Sequence, residues 1–447
     1  MQSQDKYGLS LDLGDGLLLR WARPEDAEAL AQFNLSIHSD PSEPEMGLYY
    51  WTLDLMRGDH PTTKASDFTV VVDNNNDGRI VSSLNLISQE WTYDGIPFGV
   101  GRPELVGTLP EFRRHGLVRR QMAIIHALSA DRGELVTAIT GIPWYYRQFG
   151  YEMTLNLGGQ RSYYWGRGGH SRQVTDEPYR VRPATAEDIP LLSELYRAHN
   201  GQSIVVRTRS EVNWYYEMIT AHPEAFSSNK PYLIEATNNQ VVAYTAWKPW
   251  KTLFGIREFG VLPGHSWRSV GLFVARHLES EARILNPSRL PEKQLTGVAF
   301  NLGEVHPLYE ALDPELEKLN RPYAWYVRVP DVPAFVRHIA PVLESRLADS
   351  VVAGYSGTIK INLFRSRFTM VWADGRLVEV GDGYEYDQLD DGDAVFPELT
   401  FLQLLFGYRS IDELTLSYAD LYTERNDVLV LLRVLFPRRS SRPLPME

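Results

Sequence analysis

The sequence predicts an α+β protein of three domains, and three observations lead to this prediction. The chain has 447 residues, and at about 150 residues per domain three domains are expected. A pattern near residue 20 returns near residue 182, at an offset of 162. The last ~120 residues have a different pattern of strands and helices from both copies. A duplicated domain followed by a distinct third one is therefore expected.

The repeat is a short strand, a turn with two acidic residues and an amphipathic helix. The matched positions are Arg20 with Arg182, Glu25 with Glu187, and Asp26 with Asp188. Acidic residues at this point stabilise a helix N-terminus. Chance similarity is the alternative, but self-similarity at a constant offset is typical of a duplicated unit.

Alternating apolar residues and turn residues predict the elements of each unit. In the first copy, strands are predicted over 68–72, 80–87, 98–108 and 135–140, and a helix over 116–132. In the second copy, strands are predicted over 232–235, 241–248 and 257–261, before a helix. The C-terminal region should contain a helix through residues 331–347, a meander over 358–380, and apolar helices at 398–406 and 428–436. Meanders combined with β-α-β units give a mixed α/β or α+β fold.

Composition excludes several classes of protein. Lys and Arg number 45 and Asp and Glu number 57, so the formal net charge is −12. This charge argues against a nucleic-acid-binding protein. It suits either a cationic substrate or an ordinary soluble enzyme. The absence of cysteine excludes disulfides, thiolate nucleophiles and cysteine-bound metals.

The expected compartment is the cytoplasm, without a membrane anchor. No apolar run approaches the ~18 residues of a membrane span. The first ten residues lack the basic stretch and apolar core of a secretory signal.

The most informative stretch runs from Val106 to Arg119, with the sequence VGTLPEFRRHGLVR. A predicted strand ends there, Pro110 fixes a turn, and a basic loop enters a helix at Gly116. A helix N-terminus offers unpaired backbone N–H groups and partial positive charge, which suit a pyrophosphate. The residues that can neutralise phosphates are Arg113, Arg114 and Arg119. From this stretch alone, a basic surface turn is an equal alternative.

This loop resembles the cofactor loop of the GCN5-related N-acetyltransferases (GNAT), which has the form Arg/Gln-x-x-Gly-x-Gly/Ala. Arg113 and Gly116 match the pattern, whereas Val118 replaces a small residue. Downstream, the segment from Trp144 to Tyr151, WYYRQFGY, is similar to the short helix and Phe-Gly-Tyr strand entry of the same superfamily.

The resemblance narrows to the Eis-like (enhanced intracellular survival) acetyltransferases, and it covers nearly the whole chain. In the C-terminal region it is carried by FPEL at 396–399, LLFGY at 404–408 and LFP at 435–437. It implies a catalytic GNAT domain (1–165), a second, degenerate GNAT domain (166–328) and a sterol-carrier-like C-terminal domain (329–447).

The resemblance also implies a binding site for acetyl-CoA between two splayed strands, with the phosphates on the basic loop and the acetyl end near Gly141. The predicted cofactor-binding residues are Val106, Gly107, Thr108, Arg113, Arg114, His115, Gly116, Leu117, Val118, Arg119, Gly141 and Ile142. The corresponding region of the second copy, residues 261–268, lacks the loop pattern. One acetyl-CoA per chain is therefore expected.

Two catalytic residues are carried over from the family. Tyr146 is the expected proton donor to the leaving thiolate, since a tyrosine is protonated at neutral pH. Tyr145 is the alternative, and aromatic packing is possible in a chain with 24 tyrosines. The expected general base is the terminal carboxylate of Glu447, although the family usually ends in an aromatic residue. A disordered tail is the alternative.

No metal site is expected. Asp387, Asp391 and Glu398 stand at EF-hand positions, but Leu389 occupies a position that requires an oxygen ligand. The function expected overall is an acetyl-CoA-dependent N-acetyltransferase acting by direct attack of a primary amine, in a small cationic molecule or an exposed lysine. The alternatives are a lipid carrier and a non-catalytic acyl-CoA-binding protein. The resemblance favours a homo-oligomer, since the family is usually hexameric.

Overall fold

The structure is a computed structural model that describes residues 8–166, 176–201 and 203–444. In these ranges the chain forms three β-sheets with α-helices packed against them. The strands are β1 (Ser10–Gly14), β2 (Leu17–Trp21), β3 (Phe68–Asp73), β4 (Arg79–Tyr93), β5 (Ile96–Thr108), β6 (Val136–Ile139), β7 (Glu152–Leu157), β8 (Arg161–Tyr164), β9 (Tyr179–Pro183), β10 (Val205–Arg207), β11 (Pro231–Ala236), β12 (Val241–Trp250), β13 (Leu253–Val261), β14 (Gly297–Phe300), β15 (Tyr323–Arg328), β16 (Gly357–Asn362), β17 (Arg367–Ala373), β18 (Arg376–Asp382), β19 (Ala394–Val395) and β20 (Tyr422–Thr423). The helices are α1 (Ala27–His38), α2 (Met46–Arg57), α3 (Leu117–Asp131), α4 (Ile189–Asn200), α5 (Glu211–Tyr215), α6 (Trp267–Leu285), α7 (Pro307–Ala311), α8 (Val332–His338), α9 (Ala340–Ala348), α10 (Thr400–Leu405), α11 (Ile411–Ser417) and α12 (Asn426–Leu435).

The first sheet has the strand order β1-β2-β3-β4-β5-β6-β15-β7, and β10 pairs with the end of β4. Its strands are antiparallel except for the parallel pair β5 and β6. Helix α3 packs through Met122, Ile125 and Leu128 against strand residues Leu84 and Leu86. Helices α1 and α2 pack with strands β2 to β5 in a separate apolar cluster. This mixed sheet confirms the predicted fold class.

The first two sheets exchange strands. Strand β15 lies between β6 and β7 of the first sheet, although it follows the strands of the second sheet along the chain. Strand β8 pairs with β14 in the second sheet, whose order is β8-β14-β13-β12-β11-β9. The sequence predicts a domain boundary at residue 165, but β8, which precedes this residue, belongs to the second sheet, and β15, which follows it, belongs to the first.

The internal repeat has the same geometry in both copies. Arg20 donates two hydrogen bonds to Asp26, at 2.7 and 2.9 Å. Arg182 donates two to Asp188, at 2.7 and 2.8 Å. In each copy the aspartate also accepts a backbone N–H three residues earlier, from Arg23 or from Thr185. This turn starts α1 and α4, as the sequence pattern predicts.

The third sheet has the order β18-β17-β16-β19-β20. Its core is continuous with first-sheet residues such as Trp91 and Trp325. The predicted single helix over 331–347 is wrong, because α8 and α9 are separated at Ile339. Pro341 lacks an N–H group and cannot continue an α-helix from α8. None of the helices in the described ranges has the length and apolar character needed to cross a membrane.

Candidate active site

Strands β5 and β6 diverge after two residue pairs. They pair at Val100 with Val136 and at Gly101 with Thr137. Beyond these pairs β5 continues to Thr108, bonded only to β4. The space between the diverging strands is called the wedge here. One edge of β5 from Arg102 onward therefore faces the wedge with no partner strand among the described residues.

A β-bulge lies in β5 where the strands diverge. The register between β4 and β5 shifts between Ser83 and Asn85. Leu105 adopts a φ of +52° at this point. A bulge bends its strand and increases the local twist. The bulge therefore turns the end of β5 away from β6 and opens the wedge.

The predicted loop leads from the wedge into α3. Arg114 and Gly116 both have positive φ, of 68° and 74°. Gly116 is the N-cap residue, and no side chain caps the helix. A Cβ on Gly116 would meet no atom within 4 Å, so its φ, rather than crowding, explains the glycine. The first backbone N–H groups of α3 thus begin at an exposed tip with partial positive charge.

The basic side chains of this loop have different surroundings. Arg113 donates from Nε to the Thr108 carbonyl at 3.2 Å, which ties the loop to the end of β5. Arg114 and His115 are exposed. Arg119 donates to Gln148 at 2.9 Å. Its side chain thereby links α3 to the segment that carries Tyr146.

Among the remaining loop residues, Leu117 is buried, and Val118 packs against the apolar cluster that contains Tyr146. The branched side chain of Val118 therefore contributes to the apolar core, at the position where the family pattern has a small residue.

The segment after β6 forms the other side of the wedge. Gly141 has a φ of 137°, and Ile142 is exposed. A Cβ on Gly141 would lie 3.4 Å from Cε2 and 3.7 Å from the hydroxyl of Tyr146. The Tyr146 hydroxyl therefore lies beside Gly141, at the end of β6.

Tyr146 lies on a short 3-10 helix, Tyr145–Phe149, as the sequence predicts. Its side chain is buried, with its ring centroid 5.7 Å from that of Tyr326. Burial and the nearby carboxylate of Glu104 raise the pKa of Tyr146 above its ordinary value. Its hydroxyl has no hydrogen-bond partner among the described residues. It therefore stays protonated at neutral pH and can donate a proton to a bound molecule.

Two further tyrosines at the wedge come from β15, and the sequence analysis missed them. Tyr326 accepts a hydrogen bond from the backbone N–H of Trp144. Trp144 has a φ of 65°, a conformation that costs energy in a non-glycine residue. Tyr323 lies next to Tyr326, with 3.5 Å between their hydroxyls. The sequence run YAWY over 323–326 signals a strand, but not its insertion into the first sheet.

Glu104 is a second residue that the sequence analysis missed. It lies one position before the bulge and forms an ion pair with the fully buried Arg102. Burial raises the pKa of Glu104, and Arg102 opposes that shift. Arg102 also lies over the ring of Trp325, at 4.9 Å. The strand that borders the wedge therefore carries a buried ion pair, and the charge of Glu104 contributes to the raised pKa of Tyr146.

Glu447 lies outside the described residues, which end at Leu444. The preceding tail is tied to β10. Ile204 donates to the Ser440 carbonyl at 2.9 Å, and Arg442 donates to the Val205 carbonyl at 2.8 Å. Because β10 pairs with β4, the described tail runs beside an extension of the first sheet.

The acidic loop near residue 390 satisfies its carboxylates internally. Asp391 accepts the backbone N–H groups of Asp387 and Gln388, at 2.6 and 3.0 Å. In the described ranges, no group of three or more His, Asp or Glu side chains is arranged to hold a metal ion.

Comparison with known proteins agrees with this geometry. Residues 24–154 match the family model described as acetyltransferase (GNAT) domain. This match spans β3 to β6, α3 and the Tyr146 segment. No curated protein sequence matches the chain.

Three solved structures are similar over nearly the whole chain, each at 14% identity. A GCN5-related N-acetyltransferase from Anabaena variabilis has a TM-score of 0.66 and covers 96% of this chain and 100% of its own. A protein of unknown function from Enterococcus faecalis, described as a probable N-acyltransferase, has a TM-score of 0.64, with 95% and 97% covered. Eis1 from Mycobacterium abscessus has a TM-score of 0.57, with 96% and 98% covered. At this identity the likeness concerns the fold.

Proposed function

We propose that this chain is an acetyl-CoA-dependent N-acetyltransferase that acts on a primary amine of a small cationic molecule or of an exposed lysine. One observation carries the proposal. The open N-terminus of α3 at Gly116 and the hydroxyl of Tyr146, which has no hydrogen-bond partner among the described residues, lie on the same wedge. The helix N-terminus supplies a binding site for an anion, and the Tyr146 hydroxyl supplies a proton at the opposite end of the wedge. The GNAT domain match supports acyl transfer in general.

The residues around the wedge fit a CoA thioester, which supplies an activated acetyl group. The exposed N–H groups after Gly116 suit its pyrophosphate, with Arg114 and His115 available beside them. Backbone groups of β5 at Val106 and the N–H group of Thr108 have no partner strand on the wedge side among the described residues and suit the amides of pantetheine, whereas the Thr108 carbonyl already accepts from Arg113. Gly141 and Ile142 would lie next to the acetyl end.

The reaction proposed is direct attack by a neutral amine. The amine nitrogen forms a bond to the thioester carbonyl carbon, and the carbon–sulfur bond breaks. Tyr146 gives its proton to the departing thiolate, and a carboxylate accepts the proton lost by the nitrogen. Tyr146 is preferred to Tyr145 because its ring contacts Gly141, whereas the ring of Tyr145 packs against Phe149.

We propose the terminal carboxylate of Glu447 as that base. The described tail ends three residues earlier and bonds to β10, which supports a path toward the first sheet. Adding one residue after Glu447 should reduce turnover about 100-fold, because it moves the carboxylate. An extended enzyme with full activity would exclude this base and direct attention to Glu104.

We also propose that one acetyl-CoA binds per chain, to a catalytic domain over residues 1–165. Residues 166–328 would form a degenerate copy and residues 329–447 a sterol-carrier-like domain. The similarity of whole folds to the solved structures supports this arrangement. Titration of the full chain with coenzyme A should give a stoichiometry of one.

The function is tested by measuring thiol release from acetyl-CoA with a panel of amines. The panel should include polyamines, aminoglycosides and lysine peptides, with matched alcohols as controls. Amine-dependent release is expected, together with a rise in melting temperature when coenzyme A binds. A rise without release for any amine would favour a non-catalytic acyl-CoA-binding protein. The absence of both the release and the rise in melting temperature would overturn the proposal.

A further inference from the structure

A large cavity lies between the β4–β5 hairpin and the helices α4 and α9, apart from the wedge. Its volume is about 1070 Å³. Its walls come from the β4–β5 hairpin, from α4 and β10, and from α9 and the segment after α12. Among the described residues, none of those predicted for acyl transfer lines it. Ligand pockets for small molecules commonly have volumes of about 300–1,000 Å³, so this cavity can enclose one.

The described lining is rich in arginine although the whole chain is acidic. The charged lining residues are Arg197, Arg207, Arg209, Arg346, Arg433, Arg439, Asp94 and Asp349. Six cations face two anions, whereas the chain as a whole has a net charge of −12. A concave surface with one dominant sign of charge concentrates ligands of the opposite sign.

Part of this charge is balanced by carboxylates outside the lining. Arg207 and Arg209 pair with Glu217, Arg209 also pairs with Glu258, and Arg433 pairs with Asp412. The remaining lining arginines lie at two other points, and the carboxylates Asp94 and Asp349 also line the cavity.

At the first point, Asp94 accepts hydrogen bonds from both Arg346 and Arg439. At the second, Arg197 is exposed on α4 and has no ion pair among the described residues. Both points line the cavity.

Apolar side chains lie between these arginines. The apolar lining residues are Ile96, Val206, Pro341, Val342, Val434 and Pro437. Guanidinium groups bind carboxylates and phosphates with paired hydrogen bonds. Apolar walls favour a ligand body that loses contact with water on binding. The lining therefore matches a molecule that is acidic at one end and apolar along its length.

We propose that this cavity binds a small organic anion, with a carboxylate or phosphate group on an apolar body. The acidic group lies between Arg197 and the pair Arg346 and Arg439. The apolar body lies along Val342 and Val434. Because Arg439 directly precedes the tail at Ser440, the ligand also contacts the base of the C-terminal tail.

The experiment measures binding of octanoate and of octyl phosphate to the full chain by calorimetry, with 1-octanol as the neutral probe. Measurements are made with and without saturating coenzyme A. At least one anion should bind, with an affinity that falls as salt rises, and 1-octanol should bind at least tenfold more weakly. The anion that binds more tightly identifies the preferred head group. Coenzyme A should leave its affinity unchanged, because the two sites are separate.

Arg197→Glu should weaken anion binding at least tenfold, since it reverses the charge at the exposed point. Lys318→Glu, which reverses an exposed charge away from the cavity, is the matched control and should change nothing. If Arg197→Glu does not fold, Arg197→Gln tests the same contact. Equal binding of octanoate and 1-octanol, full affinity in the Arg197 variants, competition with coenzyme A, or no binding of either anion would each overturn the proposal.

Discussion

Helices α3 and α6 begin after equivalent strands of the two copies, yet their N-termini differ. The N-cap residue of α3 is Gly116, which has no side chain and is exposed. The N-cap residue of α6 is Ser266, whose hydroxyl accepts the Ser269 N–H at 3.2 Å. Trp267, the first residue of α6, packs against His199 and His306. The second tip is therefore closed by its own side chains.

The strands beside these helices also leave more open space in the first sheet than in the second. Strands β13 and β14 pair over four positions, from Leu253 to Ile256, whereas β5 and β6 pair over two. Just beyond the last pair, Arg442 of the tail donates to the Arg257 carbonyl at 2.7 Å. The first sheet therefore has an open wedge at this place, whereas the corresponding place in the second sheet is filled.

The largest expected effect is on turnover, and it should distinguish Tyr146, which follows β6, from Tyr309, which follows β14. Tyr309 donates to the Phe300 carbonyl at 2.5 Å, whereas the hydroxyl of Tyr146 has no described partner. Tyr146→Phe should lower turnover about 100-fold with little change in coenzyme A affinity, because it removes a proton donor. Tyr309→Phe should keep turnover and lower the free energy of unfolding by about 1 kcal/mol. Thiol release and thermal melts measure both.

A Tyr146→Phe enzyme with unchanged turnover would remove Tyr146 from the mechanism. Tyr145→Phe is then the next variant to measure, because Tyr145 is its neighbour on the same 3-10 helix.

A smaller effect is expected from the glycines before α3 and α6. Gly116 and Gly264 both have positive φ, of 74° and 86°, and neither would crowd a Cβ. Alanine at either position should lower the free energy of unfolding by about 1 kcal/mol. Only Gly116→Ala should also weaken coenzyme A binding, by about tenfold, because its strain shifts the first N–H groups of α3. Calorimetric titration measures the affinity.

Equal losses of coenzyme A affinity in the two alanine variants would contradict the comparison. That result would mean that the second copy contributes to the site or that the effect is a general loss of stability.

Local signals allowed much of the fold to be predicted. The acidic turns at Asp26 and Asp188, the strands before α3, and the glycine at the start of α3 all follow from short-range patterns. The prediction of one helix over 331–347 followed the shared apolar face of these residues, and the structure divides it into α8 and α9 next to Pro341. Local patterns are reliable where one element decides its own conformation.

The rest depends on contacts between distant segments. Strand β15 lies in the first sheet and brings Tyr326 to the wedge, about 180 residues after Trp144 in sequence. The bulge at Leu105 depends on its register with β4. The ion pair of Arg102 and Glu104 looks like a surface pair in the sequence and is buried in the structure. Pairing between distant strands has no local pattern, so these features could not be predicted.

The smallest effect is expected where the two copies are alike. Hydrogen bonds from Arg182 lower the pKa of Asp188 to about 2. Burial opposes the same shift at Asp26, but Arg20 and the backbone still lower its pKa. Ionised aspartate therefore stabilises both turns above about pH 4, and this stability is lost as the pH falls through the lowered pKa of each carboxyl, which is about 2 for Asp188. Asp26→Asn and Asp188→Asn should each lower the free energy of unfolding by about 1 kcal/mol at pH 7.

Thermal melts of both variants from pH 7 to pH 2 measure this prediction, and the difference from the unmodified chain should shrink below pH 4. Asp12→Asn is the control, since Asp12 only accepts a local turn N–H on an exposed strand. The two variants should lose similar stability and keep coenzyme A affinity, because the turns lie outside the wedge. If only one of the two variants lost stability, the two turns would share their geometry but not their contribution to the free energy of unfolding.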